Sequence, residues 1–192
     1  EGGNLLTLSQ TLKDMACSIS AGRLIDCKDT VGGIKAVYIS TSTGVDFPNS
    51  SGFADSADVI TTTGALMSVY KFELVREKSS FTITLNSDYS TGTYSFDQAL
   101  SLSFQKFDST DIAEILALAK GLPAIWVEDN NGNNFLLGAG YGMALSGGNI
   151  VSGAGFADEN GFTLEFSGKE LNPVYMTAGP LATATPIGLT IL

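Results

Sequence analysis

The sequence predicts a mainly β protein: an antiparallel β-sandwich or barrel with one flanking α-helix at about residues 108–121, and with long extended arms and loops. Three observations lead to this fold class. Several stretches alternate apolar and polar residues, which is typical of strands that bury one face. Clear helical spacing of apolar residues occurs in one stretch. The connections are rich in Gly, Asn and Ser, as in antiparallel sheets joined by turns.

The chain divides into three predicted parts. Residues 1–32 form an N-terminal arm, residues 33–171 form the β domain, and residues 172–192 form a C-terminal tail. The arm contains both cysteines of the chain, Cys17 and Cys27. Their spacing is not that of a metal site, and either a disulfide or two buried free thiols would fit it.

Neither end of the chain is predicted to enter a membrane. The apolar run at residues 174–192 is interrupted by Pro180 and Pro186, and no basic, then apolar, secretion signal precedes the β domain. Met15 followed by Ala and Cys would make a natural translation start. We therefore expect residues 1–14 to be a leader, a cloning remnant or a processed arm.

Strands are predicted where alternation or β-branched content is clear. The first covers residues 34–39, directly after two glycines. Later strands are predicted at residues 66–74, 81–85, 100–105 and 162–167, with a weaker, glycine-rich one between 141 and 150. Alternation places Phe81, Ile83 and Leu85 on one inner face.

Residues 40–64 form the longest region without a core pattern, and we predict an extended loop there. A loop of this length in a compact domain is usually functional or disordered rather than a plain connector. Its apolar residues, together with leucines of the N-terminal arm, are predicted to contact other subunits. These candidate inter-subunit contacts are Leu5, Leu6, Leu8, Phe47, Phe53 and Ile60.

The predicted helix has both end signals. Asp108 is the expected N-cap, and Lys120 followed by Gly121 marks the C-terminus, with Gly121 expected in the left-handed region. We expect Ile115 and Leu116 to face the sheet. The apolar positions at helical spacing are Ile112, Ile115, Leu116 and Leu118.

A β-hairpin is predicted directly after the helix. Its strands are residues 124–128 and 135–137, and the turn at residues 129–133 contains an Asn-Gly pair that accepts positive φ angles. The turn also resembles the start of a calcium loop, but Gly140 stands where the bidentate Glu belongs. Trp126, between two apolar neighbours, is expected in the core.

The composition argues against catalysis. The chain has no histidine, which removes the commonest general base and the commonest zinc ligand. The glycines between Gly138 and Gly142 follow a strand, but no helix opens after them, so we expect a strand bend rather than a nucleotide loop. We therefore predict no enzyme activity, no catalytic residues, no metal and no cofactor.

The net charge of −10, from 20 acidic and 10 basic residues, disfavours a protein that grips nucleic acid through its phosphates. It remains compatible with a surface past which DNA slides without specific binding.

One group of segments resembles the bacteriophage tail tube (major tail) proteins and their virion relatives. The resemblance covers residues 15–39 and 95–171, about half of the chain, and the segments that carry it are 15–24, 27–34, 116–121, 126–132 and 161–164. The resemblance implies a two-sheet sandwich or barrel with a flanking helix that assembles, with copies of itself, into hexameric rings around a DNA channel. The 14 extra N-terminal residues and the apolar C-terminal tail depart from this pattern.

The resemblance implies a structural virion protein that forms the stacked rings of a phage tail tube, takes part in genome delivery and is assembled in the host cytoplasm. Its expected partners are copies of itself and other virion proteins. The alternatives are a head decoration, a connector ring or an adhesin-like β domain, and, in a third class, an enzyme or carbohydrate-binding module. The candidate channel-lining acids are Glu73, Glu77, Asp88, Asp97, Glu128 and Asp129.

Overall fold

The computed structural model describes residues 30–43, 59–60, 67–177, 181 and 189–191. Within them the chain is mainly β with a single helix, so the predicted fold class is confirmed. The strands are β1 (Ile34–Thr43), β2 (Val59–Ile60), β3 (Met67–Glu73), β4 (Ser80–Asp88), β5 (Thr93–Gln105), β6 (Pro123–Asp129), β7 (Asn134–Leu137), β8 (Ala144–Val151), β9 (Gly161–Glu170), β10 (Tyr175–Thr177) and β11 (Leu189–Ile191). The helix, α1, covers Ser109–Lys120.

The described strands form two sheets. The larger has the order β11-β3-β1-β6-β7-β10-β2, and the smaller has the order β4-β5-β9-β8. All neighbours in the smaller sheet are antiparallel. In the larger sheet, β10 with β2 and β11 with β3 pair in parallel. The parallel pairs therefore occur only at the two short outer strands of the described sheet.

The core lies between the two sheets. Alternate residues of the long strands β5 and β9 face it as directly opposed pairs, namely Leu100 with Phe166, Leu102 with Leu164, and Phe104 with Phe162. The Phe104 and Phe162 rings stack with their centroids 4.8 Å apart. From the larger sheet the core takes Ile34, Val37 and Ile39 of β1, Ile125 and Val127 of β6, and Leu137 of β7. Trp126 is fully buried on the opposite face of that sheet, so its predicted burial is confirmed.

Helix α1 lies against the sandwich with only part of its apolar stripe. Ile115 and Leu118 pack against the core, as neighbours of Phe104 and Phe162. Leu116 is 53% exposed, so the expectation that it faces the sheet is wrong. Ile112 is exposed as well. The apolar stripe is wider than the contact with the sheets, and no residue of α1 is buried.

The two ends of α1 differ in how well they were predicted. Asp108 is the N-cap, and its carboxylate accepts the Thr110 N–H at 2.7 Å, so the N-terminal prediction is confirmed. Gly121 has φ −99° and ψ 172°, an extended conformation, so the left-handed prediction is wrong. Strand β6 begins at Pro123, and the residue before a proline favours extended backbone. The chain therefore runs straight from helix to strand.

The predicted extended loop and C-terminal tail both contain strands. Strand β1 continues to Thr43, inside the predicted loop of residues 40–64, and β2 lies near its far end. Strands β10 and β11 lie within the predicted tail of residues 172–192. The rest of the loop lies outside the described residues, as does the N-terminal arm up to residue 29.

The turn between β6 and β7 is held by its own first residue. The Asp129 carboxylate accepts the backbone N–H of Asn131 at 2.9 Å and of Asn133 at 2.7 Å. Gly132 has φ +84°, whereas Asn131 keeps a negative φ, so only one position of the predicted Asn-Gly pair uses the left-handed region. The carboxylate is engaged by the loop itself, which is consistent with a turn rather than a calcium loop.

The same turn binds the chain segment that leads into β1. The Asn130 side chain donates to the Gly32 carbonyl oxygen at 2.8 Å. Asn131 exchanges two hydrogen bonds with the Val31 backbone, each 2.8 Å long. Gly33 has φ +102°, and a Cβ there would lie 2.8 Å from the Asn130 amide nitrogen. The turn therefore fixes the path of the chain where the β domain begins.

Candidate functional site

The smaller sheet has one face that does not pack on the core, and we call it the polar face. Its residues alternate with the core residues along the strands, so they point away from the larger sheet. They are mostly short and uncharged. They include Thr82, Thr84 and Asp88 of β4, Asp97, Ala99 and Ser101 of β5, Asn149 of β8, and Thr163, Glu165, Ser167 and Lys169 of β9.

The charges on the polar face are few and mostly acidic. Lys169 lies opposite Asp97, and their charged atoms are 3.3 Å apart, with 76% and 41% of the side chains exposed. Glu165 is exposed and lies beside Gly147 of β8, where a Cβ would come within 2.9 Å of its carboxylate. A side chain at position 147 would displace Glu165. The face therefore carries Asp88, Asp97 and Glu165 against one lysine.

Two of the predicted channel-lining acids, Asp88 and Asp97, lie on the polar face. Glu73 ends β3 in the larger sheet and is exposed, 3.4 Å from Lys71. Glu77 lies in the turn between β3 and β4 with φ 61°. The structure does not bring these four acids together on one surface.

Glu128 and Asp129 lie at the end of β6, and their carboxylates form hydrogen bonds or ion pairs with other residues of the same chain. The Glu128 carboxylate pairs with Lys35 and accepts the Tyr38 hydroxyl at 3.0 Å, and Glu128 is only 9% exposed. Burial first, and then the hydrogen bond to Glu128 and its charge, raise the pKa of Tyr38 to about 12. Asp129 holds the turn described above.

Glu165 was not among the predicted channel-lining acids. The alternation of Phe162, Leu164 and Phe166 does place it on the side of the strand away from the core. The pairing of β9 with β5, which sets it on the same face as Asp97, has no signal in the local sequence.

The smaller sheet ends in long strands on both sides. Its outer strands, β4 with nine residues and β8 with eight, contain no Lys, Arg or Pro, and Asp88 is their single charged residue. Strand β8 has a bulge between Leu145 and Gly147 and then pairs regularly with β9. In contrast, the outer strands described for the larger sheet, β2 and β11, have two and three residues.

Strands β4 and β5 extend beyond the rest of the sheet. Strand β9 ends at Glu170, which is opposite Phe96, so no described strand pairs as a third strand with the ribbon from Asn86 to Ser95. Leu85 follows the predicted alternation but is 58% exposed and does not belong to the core. The tip of this ribbon is ordered by the Asp88 carboxylate, which accepts the Ser90 N–H at 2.8 Å.

The glycine stretch after β7 connects the two sheets. The Gly138 N–H donates to the buried Gln98 of β5 at 2.8 Å. The Glu170 carboxylate of β9 accepts the N–H groups of Gly140 at 3.1 Å and Tyr141 at 2.9 Å. Residues 138–141 form a bend, so the prediction of a bend at these glycines is confirmed. Their backbone groups bind the protein's own side chains.

Of the residues predicted to contact other subunits, the structure describes only Ile60. Leu5, Leu6, Leu8, Phe47 and Phe53 lie outside the described residues. Ile60 ends β2, where its backbone pairs with Thr177 of β10. These contacts stay predictions.

The described part of the chain contains no group of three metal-ligating side chains. In the same residues, no helix has the length and apolar character needed to cross a membrane.

Comparison with known proteins gives little. No family model matches the chain, and no curated protein matches it. Among solved structures, the chain is similar to a chain of the "Virion of native gene transfer agent (GTA) particle", with a TM-score of 0.36 and 9% identity. The match covers 56% of this chain and 89% of that one. So weak a likeness carries no functional argument.

Proposed function

We propose that this protein is a structural protein, not an enzyme, that assembles with copies of itself by joining the outer strands of its smaller sheet. The observation that carries the proposal is the pair of long, almost uncharged outer strands, β4 and β8. An outer strand exposes backbone N–H and C=O groups that pair readily with another chain. Proteins that stay monomeric protect such strands with charges, prolines, bulges, a covering helix or short length. The described outer strands of the larger sheet are short, and β8 has a bulge at its start and contacts α1, whereas β4 is long and regular.

The strand directions favour a closed ring. Because neighbours in the order β4-β5-β9-β8 are antiparallel, β4 and β8 run in opposite directions. If copies are related by rotation about a common axis, β8 of one copy meets β4 of the next in antiparallel pairing, and the sheet continues without interruption. Such a head-to-tail contact uses two different surfaces and closes into a ring when the rotation permits.

A hexameric ring of this kind would be one ring of a phage tail tube, with the polar face towards the channel. Six four-stranded sheets would give about 24 strands, and barrels of more than roughly 16 strands already enclose an aqueous channel. The short Ser and Thr side chains leave room in the channel, and the excess of acids gives phosphates no point of attachment. DNA would pass without specific binding, inside a virion built with other virion proteins.

The proposal is tested with charges placed on an outer strand. The double variant Thr82→Lys, Thr84→Lys puts two lysines on β4, and we expect it to remain folded but monomeric, because lysines on an edge prevent strand pairing. The matched control is Ala99→Lys, Ser101→Lys on β5, which adds the same charge to the same face away from the edge. We expect the control to assemble like the wild type.

Sedimentation and negative-stain electron microscopy of the full chain provide the measurement, with circular dichroism to verify folding. Wild-type protein that stays monomeric at every concentration would overturn self-assembly. Loss of assembly in both double variants, or in neither, would remove the outer strands from the contact.

A further inference from the structure

Helix α1 leaves part of its apolar stripe open to solvent. Ile112 is 54% exposed and Leu116 is 53% exposed, and we call these two side chains the α1 flank. Because residues four positions apart are neighbours on a helix, the two side chains form one patch. Ile115 and Leu118 of the same stripe pack against the core. The α1 flank is therefore the part of the stripe that the described sheets leave uncovered.

Helix α1 lies beside the outer strand β8. It contacts β8, and it packs on Phe162 and Leu164 of β9, which lie opposite Ile150 and Gly148 of β8. A helix with its side chains is about 10 Å across, whereas neighbouring strands lie about 4.8 Å apart. A helix packed on β9 therefore reaches over β8, towards the position that a next strand of the same sheet would take.

The α1 flank is turned away from the larger sheet. Glu114 lines a small cavity together with Ile39 of β1 and Phe72 of β3. With 3.6 residues per turn, Ile112 and Leu116 lie on the opposite side of the helix from Glu114. The flank is thus directed away from the two strands that carry Ile39 and Phe72.

Strand β4, at the other side of the smaller sheet, has an uncovered apolar row. Phe81, Ile83 and Leu85 alternate along β4, and their side chains are on the core side of the sheet. Phe81 and Ile83 are only partly buried, and Leu85 is 58% exposed. The exposed Ile150 is on the same side of the sheet on β8, since it lies opposite Phe162. Both outer strands therefore present apolar side chains on the core side.

The backbone groups of these same residues point away from the described sheet. Lys106 donates its N–H to the Asn160 carbonyl oxygen at 3.0 Å, and this bond fixes which residues pair along the regular antiparallel ladders. The residues whose backbone groups point outward are Phe81, Ile83 and Leu85 of β4, and Gly148 and Ile150 of β8. Joining β8 to β4 of a second copy would therefore set these residues directly opposite one another, with their side chains on one face.

We propose that the α1 flank of one copy covers Ile83 and Leu85 of the next copy, whose β4 is paired with β8. In this register Ile83 lies opposite Ile150, and Leu85 lies opposite Gly148. Because Gly148 has no side chain, the leucine has room to reach the helix. The inference rests on the proposed self-assembly and names the apolar contact that accompanies the pairing of the outer strands.

The test places a charge on the α1 flank. Burying an unpaired carboxylate against apolar side chains is costly, so Leu116→Glu should weaken association by at least about tenfold. The matched control is Ala117→Glu, which adds the same charge at the next position of the helix, where the side chain is exposed. We expect the control to associate like the wild type. Sedimentation over a range of concentrations measures association, and circular dichroism verifies folding.

A substitution on β4 approaches the same contact from the other side. Leu85→Lys alone should also weaken association, because it places an ammonium group beneath the apolar flank. In the double variant Leu116→Glu, Leu85→Lys, the introduced carboxylate of one copy meets the introduced ammonium of the next. We expect the double variant to associate several-fold more strongly than either single variant. Added salt should weaken this restored association more than that of the wild type, because only the former depends on an ion pair.

Cysteine pairs test the register. Directly opposed residues of a hydrogen-bonded pair have Cα atoms about 5.5 Å apart, which is within the range of a disulfide. With oxidised glutathione, the variant Ile83→Cys, Ile150→Cys should therefore form covalent oligomers on a non-reducing gel. Thr82→Cys, Ile150→Cys places one thiol on the other face of β4 and should stay at the level of the wild-type chain, whose Cys17 and Cys27 set the background. Covalent oligomers from Leu85→Cys, Ile150→Cys instead would contradict the register.

Each result decides the question. If Leu116→Glu associates like Ala117→Glu, or if the double variant associates no better than the single variants, the contact is wrong. Rings from the wild-type chain would in that case leave the proposed self-assembly intact. Wild-type protein that stays monomeric would instead remove both the self-assembly and this contact, so the two failures are distinguishable.

Discussion

Aspartates in turns fix much of the local structure at the scale of single residues. Hydrogen bonds from the Ser90 side chain, and then its backbone, lower the pKa of Asp88. The Thr110 side chain and then its backbone do the same for Asp108, and the Gly155 and Ala154 N–H groups for Asp158. In each case the ionised carboxylate replaces backbone partners that a turn or helix end leaves unpaired.

The Asp129 carboxylate accepts hydrogen bonds from the backbones and side chains of both Asn131 and Asn133. Its burial raises its pKa, but the hydrogen bonds from the Asn133 and Asn131 side chains and backbones together outweigh that effect, and the pKa lies below its usual value. A lowered pKa means that ionised Asp129 stabilises the folded state. That stabilisation is complete above the unfolded pKa, near 3.9, and is lost as the pH falls through the folded pKa.

The prediction concerns the charge of Asp129. Asp129→Asn keeps the size of the side chain and removes the charge. We therefore expect the variant to have a lower melting temperature than the wild type at pH 7. Its melting temperature should then fall less than that of the wild type between pH 4 and pH 2. Thermal unfolding from pH 2 to 7 measures both. Parallel pH profiles for variant and wild type would show that the carboxylate does not contribute through its charge.

At the scale of elements, α1 shows that apolar spacing predicts where a helix lies but not which of its side chains face the sheets. The spacing located α1 and its N-cap, yet it did not determine which part of the stripe meets the sheets. Ile115 and Leu118 contact the core, whereas Ile112 and Leu116 are more than half exposed. A rotation of the helix by less than one residue decides this, and the spacing of the apolar residues does not specify it.

The corresponding prediction compares neighbouring positions on α1. Leu116→Ala should change the free energy of unfolding by no more than about 0.5 kcal/mol, as for other surface substitutions. Ile115→Ala should cost more, at about 1–2 kcal/mol, because Ile115 is only partly buried and so falls below the range for a full core site. Chemical denaturation measures both, and equal losses at the two positions would contradict the observed orientation.

Strand prediction succeeded where side chains alternate and failed where only the backbone pairs. Strand β9 was predicted from the alternation of Phe162, Leu164 and Phe166 with polar residues. Strands β10 and β11 have three residues each, too few for a period to be visible. They join the sheet through backbone hydrogen bonds, which any sequence can supply, so residues 172–192 could only be predicted as a tail.

The candidate surface at the scale of the whole molecule was only partly predictable. Asp97 was one of the predicted channel-lining acids, but the local sequence could not show that Asp97, Glu165 and Lys169 share one face, because strand order and register bring them together. Glu128 also alternates with core residues, yet it is buried on the second face of the larger sheet beside Tyr38. A local pattern does not reveal that a sheet is covered on both faces.

The polar face carries the last prediction, which concerns the passage of DNA. If this face lines the channel, the double variant Ala99→Lys, Ser101→Lys should still assemble but should slow or block genome delivery. Each added lysine attracts phosphates, and ring symmetry repeats that attraction around the channel. The effect should be largest at low salt, since the screening length shortens from about 30 Å at 0.01 M to about 8 Å at 0.15 M.

The matched control for this prediction is Ala99→Asp, Ser101→Asp, which changes the same two positions with the opposite charge. The control should assemble. Because acids repel phosphate, it should also release DNA at least as fast as the wild type. Particles assembled with each variant are counted by electron microscopy, and DNA ejection is followed across a range of salt concentrations. Equal ejection from both variants at every salt concentration, in particles of normal length, would mean that the polar face does not meet the DNA and that another surface lines the channel.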